Sequence, residues 1–221
     1  MQAEWFTWAF IVAVLVGLAT MWFFLGERIV RSVIDRRNSS TVARAARAVG
    51  WRYRSGDSLT LPILGLPFIA GESWCTDIIE GEVHGESFTA FEYEHQYAVF
   101  LADLPAQLPL IDVRLRGLEG PAPVLEHTAV TLESEDFNRR FWVGAKGAKY
   151  ASDLLNPRVM DQMLQAPPMC WRILARSLVA WRPGPLHPEE VVPIGKALLA
   201  VRRTIPAFVW TDHTVPDDEI A

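Results

Sequence analysis

The distribution of hydrophobic and charged residues divides the chain into an apolar N-terminal stretch and a longer mixed region. Residues 5–25 carry no charged side chain and lie between Glu4 and Glu27. Because a helix rises about 1.5 Å per residue, this stretch matches the roughly 30 Å hydrocarbon thickness of a bilayer. Tryptophans lie near both of its ends, where aromatic rings favour the two membrane interfaces: Trp5, Trp8 and Trp22. The pattern predicts a transmembrane helix over 5–25.

A cleaved signal peptide is the alternative interpretation of this stretch. Signal peptides begin with a positively charged region, but residues 1–4 contain no lysine or arginine, and the apolar run is longer than a signal peptide needs. Eight arginines follow the run: Arg28, Arg31, Arg36, Arg37, Arg44, Arg47, Arg52 and Arg54. Since positive flanks stay on the cytoplasmic side, we expect a single-pass protein of the inner (plasma) membrane, with residues 1–4 outside and the C-terminal bulk in the cytoplasm.

Residues 26–50 are predicted to form a basic helical linker. Ser40 is a suitable N-cap for a short helix that places Val42 and Ala46 on one face. Gly50 can end this helix, because glycine adopts the left-handed backbone conformation without strain. We therefore expect a helical connection between the anchor and the following domain.

Short hydrophobic runs separated by glycine and proline are typical of strands, and they extend from residue 51 to residue 143. The clearest pattern covers Phe88 to Leu101, where aromatic and polar side chains alternate, and it predicts one continuous strand with an aromatic and an acidic face. Further strands are predicted at 78–83, 111–115, 130–133 and 137–143.

The C-terminal third shows helix signals on both sides of a hydrophobic run. Asn156 as cap and Pro157 at the first position predict a helix that ends at Leu164, after a shorter one at 150–155. The run at 171–181 predicts a hairpin that turns near Arg176. A final helix is predicted to open at His187 and Pro188 and to reach Arg203 despite Pro193.

Together these patterns predict an α+β fold: one N-terminal transmembrane helix followed by a mainly antiparallel β-sheet domain with a C-terminal helix. The predicted cytosolic domain covers 51–210, and an acidic tail covers 211–221. A segment of this size is sufficient for one hydrophobic core.

Charge is distributed unevenly between the linker and the domain. Residues 55–221 carry 13 Lys and Arg against 23 Asp and Glu, whereas residues 27–54 carry eight Arg against two acids. The arginine collar at 27–54 should bind anionic lipid headgroups, and the acidic domain should be held off the bilayer. Nucleic acid is not an expected partner, because its binding needs a basic face.

The motifs for metal, nucleotide and nucleophile chemistry are incomplete in this sequence. His84 and Glu86 form an H-x-E pair without the P-C-x-x-C partner of zinc deaminases. Residues 144–149 lack the spacing of a phosphate-binding loop. Cys75 and Cys170 are far apart, and we expect reduced, buried thiols without a disulfide or a metal. We therefore predict no catalytic, cofactor-binding or metal-binding residue.

Three residues on the predicted strand at 88–101 carry the alternative hypothesis. Glu92, Glu94 or His95 could perform acid–base chemistry, or bind a ligand, in a cleft of the sheet. On a strand, Glu92 and His95 would point to opposite faces, which argues against a shared metal. A third hypothesis is a lipid-sensing module that works through the arginine collar. The acidic turn at 133–136 is either a docking patch or a turn whose carboxylates pair with Arg139 and Arg140.

Several local motifs together resemble a set of uncharacterised actinobacterial membrane proteins. They are Gly50-Trp51-Arg52-Tyr53, Phe91-Glu92-Tyr93, the stretch from Glu133 to Phe141, Trp181-Arg182-Pro183-Gly184 and the stretch from Ile205 to Trp210. The resemblance implies an N-terminal anchor joined to a cytosolic α+β domain. It also implies kinship with accessory factors of the respiratory supercomplex, which joins the cytochrome bc1-type and aa3-type oxidases.

These patterns favour a non-catalytic, membrane-anchored accessory or assembly protein over an enzyme. The expected partners are membrane lipids and integral membrane proteins of an inner-membrane complex, with respiratory oxidase subunits implied by the resemblance. In the anchor, Ala13 and Gly17 on one face would allow close packing against a partner helix.

Overall fold

The computed structural model describes residues 40–61, 68, 71–118 and 128–216. The chain divides into two compact units, Met1–Thr41 and Val42–Ala221, and nearly all described residues belong to the second. The predicted anchor at 5–25 and the end of the acidic tail lie outside the described residues. Within the described ranges, no helix combines the length and the apolar character needed to cross a bilayer. The domain boundaries at residues 4, 25, 50, 210 and 221 stay predictions.

An antiparallel sheet of seven described strands forms the centre of the second unit. The strands are β1 (Arg52–Leu61), β2 (Gly71–Val83), β3 (Glu86–Tyr93), β4 (Tyr97–Leu115), β5 (Thr128–Ala129), β6 (Phe141–Ala145) and β7 (Cys170–Pro183). Their order is β1-β2-β3-β4-β6-β5, and β7 pairs with β4 along the other side of that strand. The prediction of a mainly antiparallel α+β fold is confirmed for this unit.

Six described helical segments accompany the sheet. They are α1 (40–48), α2 (Glu135–Arg140), α3 (Ala148–Leu154), α4 (Pro157–Gln165), α5 (Pro188–Thr204) and α6 (Val209–Asp212). The longest, α5, contacts β2, β3, β4 and β7 and so covers one face of the sheet. The main hydrophobic core lies on this face, and a second buried cluster around Phe91, Tyr93 and Trp181 lies on the opposite face.

A phenylalanine ring sets how closely α5 approaches the sheet. Phe88 on β3 lies between Gly81 on β2 and Gly195 on α5. A Cβ at Gly195 would come within 2.3 Å of Phe88 Cζ, and one at Gly81 within 2.5 Å of Phe88 Cε1. The ring therefore needs glycine on both sides, which explains a glycine inside a buried helix.

The prediction of one strand over 88–101 is wrong. Strand β3 ends at Tyr93, a turn follows, and β4 begins at Tyr97. Glu94 and His95 have φ values of 50° and 56°, a left-handed conformation that side-chain-bearing residues seldom adopt. The turn contains no glycine or proline, so the alternating pattern continues through it and hides it.

The predicted hairpin at 171–181 is also wrong, because β7 is one continuous strand. Ala175 has a φ of 52° and lies where the register between β4 and β7 shifts. The extra residues lie on β4, where residues 104–107 stand opposite Arg176 alone, so the irregularity interrupts the pairing without ending β7. The polar residues around Arg176 therefore mark this interruption, and β7 stays paired with both halves of β4.

The region from 130 to 143 differs from the prediction of two strands. Residues 130–134 are irregular, and residues 135–140 form α2. Ser134 caps this helix by accepting a 3.3 Å hydrogen bond from Phe137 N. Two acids lie in its first turn and two arginines in its last, and these charges stabilise the helix by interacting favourably with its dipole. Only the residues from Phe141 onward join the sheet, as β6.

The predicted starts of α4 and of the last long helix are confirmed, whereas Ser40, the predicted N-cap of the linker helix, is itself helical. Asn156 Oδ1 accepts from Arg158 N at 2.9 Å and from Val159 N at 3.2 Å, so α4 begins where predicted. The last long helix begins at Pro188 and continues through Pro193 to Thr204. Gly50 follows α1 with a φ of 79°, the left-handed conformation expected of it.

Candidate functional site

The three residues of the alternative hypothesis lie at the turn between β3 and β4. Glu92 is only 6% exposed, whereas Glu94 and His95 are exposed. Glu92 Oε1 lies 2.8 Å from His95 Nδ1, and Oε2 accepts a 3.1 Å hydrogen bond from Leu186 N. The prediction that Glu92 and His95 point apart is therefore wrong, because His95 belongs to the turn. The two side chains meet, and Glu94 does not join them.

A carboxylate–arginine pair, Glu190 with Arg182, lies near Glu92. Ala98 on β4 pairs with Glu92 on one side and Arg182 on the other, so both side chains lie on the same face. Arg182 Nε donates to Glu190 Oε2 at 3.1 Å, and its Nη atoms donate to the carbonyls of Pro183 and Pro185 at 2.8 Å. These contacts fix the loop that leads into α5.

The geometry of this cluster indicates a structural role, in which Glu92 connects the turn between β3 and β4 to the loop before α5, better than it indicates an acid–base site. Both oxygens of Glu92 have partners, one of them a backbone amide that holds the loop before α5. Among the described residues, no group of three or more His, Cys, Asp or Glu could hold a metal ion. The two surface grooves described below have no lining residue in common with the cluster.

A buried ion pair connects the two longest strands. Asp112 on β4 is 1% exposed and Arg172 on β7 is 0% exposed, and the two residues lie opposite each other. Arg172 Nε and Nη2 donate to the two carboxylate oxygens at 3.2 and 3.0 Å, and Arg114 Nε donates to Oδ2 at 2.9 Å. The Arg172 guanidinium lies 5.0 Å from the Trp181 ring centroid. Such a closed arrangement fixes strand register and leaves no free acid for chemistry.

Both cysteines are buried and free, as the sequence predicts. Burial, helped by the charge of Glu94, raises the pKa of Cys75 to about 11, and burial also raises the pKa of Cys170. Because only the thiolate is a good nucleophile, neither residue is suited to covalent catalysis. Burial likewise raises the pKa of Tyr150, whose hydroxyl donates to Pro109 O at 2.8 Å.

An acidic groove of about 530 Å³ lies between α2 and α4. Its lining is Glu133, Ser134, Asp136, Pro157, Met160, Asp161 and Leu164. Three lining residues are acidic, none is basic, and Met160 and Leu164 supply apolar surface. Asp136 also pairs with Arg139 on the same helix, as one of the two sequence interpretations proposed, but both side chains are about three-quarters exposed. An exposed pair of this kind contributes little and leaves the carboxylate accessible.

A basic groove of about 600 Å³ lies where α1 meets β1 and β2. Its lining is Arg47, Trp51, Arg52, Tyr53, Arg54, Ile78 and Glu80. Three arginines and one glutamate thus line this groove. These arginines belong to the arginine collar in the sequence, but no local pattern there predicts that they share a groove with residues of β2.

Comparison with known proteins identifies a structural neighbour for this fold. No family model and no curated protein matches the sequence. The crystal structure of the mycobacterial trehalose monomycolate transport factor A, TtfA, superimposes with a TM-score of 0.66 at 15% sequence identity. The alignment covers 82% of this chain and 99% of that chain. The chain therefore has the fold of TtfA over almost the whole length of the solved structure.

Proposed function

We propose that this chain is a membrane-anchored, non-catalytic accessory protein of a transport assembly in an actinobacterial cell envelope. The end-to-end fold match to TtfA carries this proposal, because it covers 99% of that chain. The predicted anchor at 5–25 and the resemblance to actinobacterial membrane proteins support it. By the same likeness, the cargo of the assembly would be a trehalose ester of a mycolic acid. The respiratory interpretation gains no support from the comparison, and the transport assembly replaces it.

The acidic groove is the proposed docking surface for the integral membrane partner. Cytoplasmic loops of membrane proteins are rich in Lys and Arg, so a cytosolic accessory protein meets positive charge there. Glu133, Asp136 and Asp161 match this charge, and Met160 with Leu164 can receive an apolar side chain between them. The excess of 23 acids over 13 basic residues in 55–221 would steer the same encounter. The occupant is therefore a Lys- and Arg-rich cytosolic loop of a transporter.

Affinity purification from native membranes tests this proposal. The tagged full chain is extracted in mild detergent, and co-purifying proteins are quantified by mass spectrometry. The groove variant is Asp136→Lys with Asp161→Lys, and the matched control is Asp103→Lys with Glu189→Lys, which changes the charge equally at exposed positions elsewhere. We expect a polytopic transporter with the wild type and the control, and its loss with the groove variant. Recovery of the bait alone from wild-type membranes would contradict the proposal.

The hydrogen-bonded pair of Glu92 and His95 supports a second candidate, a membrane-tethered ligand-binding or enzymatic domain. The observation in its favour is a nearly buried carboxylate 2.8 Å from an exposed imidazole. If this candidate is correct, His95→Ala should abolish function in a complementation assay, because the imidazole would be the proton-transferring group. The accessory function expects near-normal complementation, since His95 makes an exposed contact and Glu92 keeps its bond to Leu186 N.

A further inference from the structure

The arginines of the basic groove come from two different elements. Arg47 lies on α1, and Arg52 and Arg54 lie on β1 after the left-handed turn at Gly50. The Arg47 guanidinium lies 5.9 Å from the Tyr53 ring centroid, so the ring and the charge border the groove together. This convergence depends on the fold, because the turn at Gly50 reverses the chain between the helix and the strand.

Glu80 is the one carboxylate among the groove's lining residues, and it is shared. It lies 2.9 Å from Arg52 Nη2 and 3.2 Å from Arg54 Nη2. Arg52 is 86% exposed, so its pair with Glu80 is weak and water can exchange for it. Among the described ion pairs, Arg47 has no carboxylate partner. Arg54 also pairs with Asp57, which does not line the groove. Three guanidinium groups against these two carboxylates still leave an excess of positive charge, so the groove can accept an anion with several oxygens.

Apolar and aromatic groups border the same corner of the domain. Val49, between the lining residues Arg47 and Trp51 in the sequence, is 45% exposed, although it is a large hydrophobic residue. Trp51 places its ring edge against Phe88 and donates Nε1 to Glu82 O at 3.1 Å, so its position in the groove wall is fixed. Tyr53 donates its hydroxyl to Asp77 at 2.6 Å. Arginine, tryptophan and tyrosine beside an exposed aliphatic side chain are the residue types of a membrane interface.

We propose that the basic groove binds the phosphate of an anionic phospholipid headgroup. Guanidinium groups match phosphate oxygens in pairs, and Arg52 and Arg54, which lie on the same face of β1, can supply such a pair while Arg47 adds positive charge at the groove wall. Arg47 follows Leu25, the end of the predicted anchor, by only 22 residues, so the connection would extend about 33 Å if fully helical and about 75 Å at most if fully extended. A tether of that length keeps the groove at a high effective concentration of headgroups. The groove would thus orient an otherwise acidic domain at the bilayer surface.

Native mass spectrometry of the full chain in a neutral detergent tests the inference with added phosphatidylglycerol or phosphatidylcholine. The triple variant Arg47→Gln, Arg52→Gln, Arg54→Gln should bind phosphatidylglycerol at least about tenfold more weakly than the wild type. The control removes three exposed positive charges elsewhere, by Lys146→Gln, Arg158→Gln and Arg176→Gln, and should bind normally. The remaining collar arginines give the same background in every variant. Equal binding by the triple variant and the wild type would overturn the inference.

One further variant and one competition experiment distinguish specific lipid binding from misfolding and from binding of free phosphate. Glu80→Gln removes the competing carboxylate and should strengthen phosphatidylglycerol binding severalfold, a gain that a misfolded protein would not show. If the wild type bound phosphatidylglycerol no more tightly than phosphatidylcholine, the inference would be contradicted. Glycerol phosphate and inorganic phosphate at millimolar concentration should compete only weakly. Full displacement by them would assign the groove to a free phosphate ligand and overturn the lipid assignment. Because the test needs no protein partner, its failure is separate from failure of the proposed accessory function.

Discussion

Removing the negative charge of Asp112 is the perturbation with the largest expected effect on the sheet. Its carboxylate accepts from Arg172 at 3.2 and 3.0 Å and from Arg114 at 2.9 Å, and all three residues lie at the contact between β4 and β7. Asp112→Asn keeps the shape of the side chain but leaves two guanidinium groups beside it. One of them, Arg172, is 0% exposed and cannot reach water without moving.

The expected magnitudes follow from which charge is left behind. Breaking a buried pair by removing one partner costs about 3–5 kcal/mol, and Asp112→Asn should fall in this range. Arg172→Met should cost less, about 1–3 kcal/mol, because Asp112 keeps the charged Arg114 as partner. The double variant Asp112→Leu, Arg172→Met should lose less stability than Asp112→Asn alone, since it removes the fully buried Arg172 charge and leaves only Arg114, whose side chain is 14% exposed.

Urea unfolding of the full chain in detergent, followed by tryptophan fluorescence, measures these differences. The free energy of unfolding should decrease from the wild type to Arg172→Met and then to Asp112→Asn, and the double variant should be more stable than Asp112→Asn. It would be refuted if Asp112→Asn unfolded within about 1 kcal/mol of the wild type, or if Arg172→Met were the less stable single variant.

Three other perturbations probe the core, the thiols and the surface. Gly195→Ala should lose about 1–3 kcal/mol in the same urea assay, because a Cβ would meet Phe88 Cζ at 2.3 Å and this clash outweighs the roughly 1 kcal/mol that alanine gains in a helix. Adding Phe88→Leu should recover part of the loss, and a stabilised single variant would disprove the clash. The thiol of Cys75 in a Cys170→Ala chain should react at pH 8 with a disulfide reagent at least about 100-fold more slowly when folded than in urea, since its pKa is raised to about 11; equal rates would contradict its burial. Hydrogen bonds from Lys149 and His213 lower the pKa of Asp153. The stability that its carboxylate contributes is therefore present at neutral pH and is lost as the pH falls through the lowered pKa. Asp153→Asn should therefore destabilise the chain at pH 7 and progressively less as the pH falls below the usual pKa of an aspartate, and a difference independent of pH would contradict this sign.

The elements that could be predicted from sequence are those with local start signals. Asn156 followed by Pro157 is enough to begin α4, because the cap and the fixed proline φ act within one helical turn. Pro188 with two following glutamates does the same for α5. The left-handed residue after α1 is a glycine, which marks its own conformation.

Elements that depend on contacts between distant strands were predicted less well. The turn at Glu94 and His95 and the irregular pairing opposite Ala175 use residues that seldom adopt positive φ, so their conformation follows from strand pairing and has no local sequence signal. The same limit applies to the sites. The basic groove needs the register that pairs Arg52 with Glu80, which no local pattern encodes. The contact of Glu92 with His95 was missed because it depends on the hidden turn.

Photo-crosslinking in living cells tests most directly whether the domain engages an integral membrane partner. A photoreactive phenylalanine derivative replaces Leu164, which lines the acidic groove, or Arg158, which is exposed on the same helix but does not line it. If the acidic groove docks an integral membrane partner, position 164 should give a light-dependent adduct with a polytopic transporter and position 158 should give none. Adducts only with soluble proteins, or equal adducts from both positions, would contradict it.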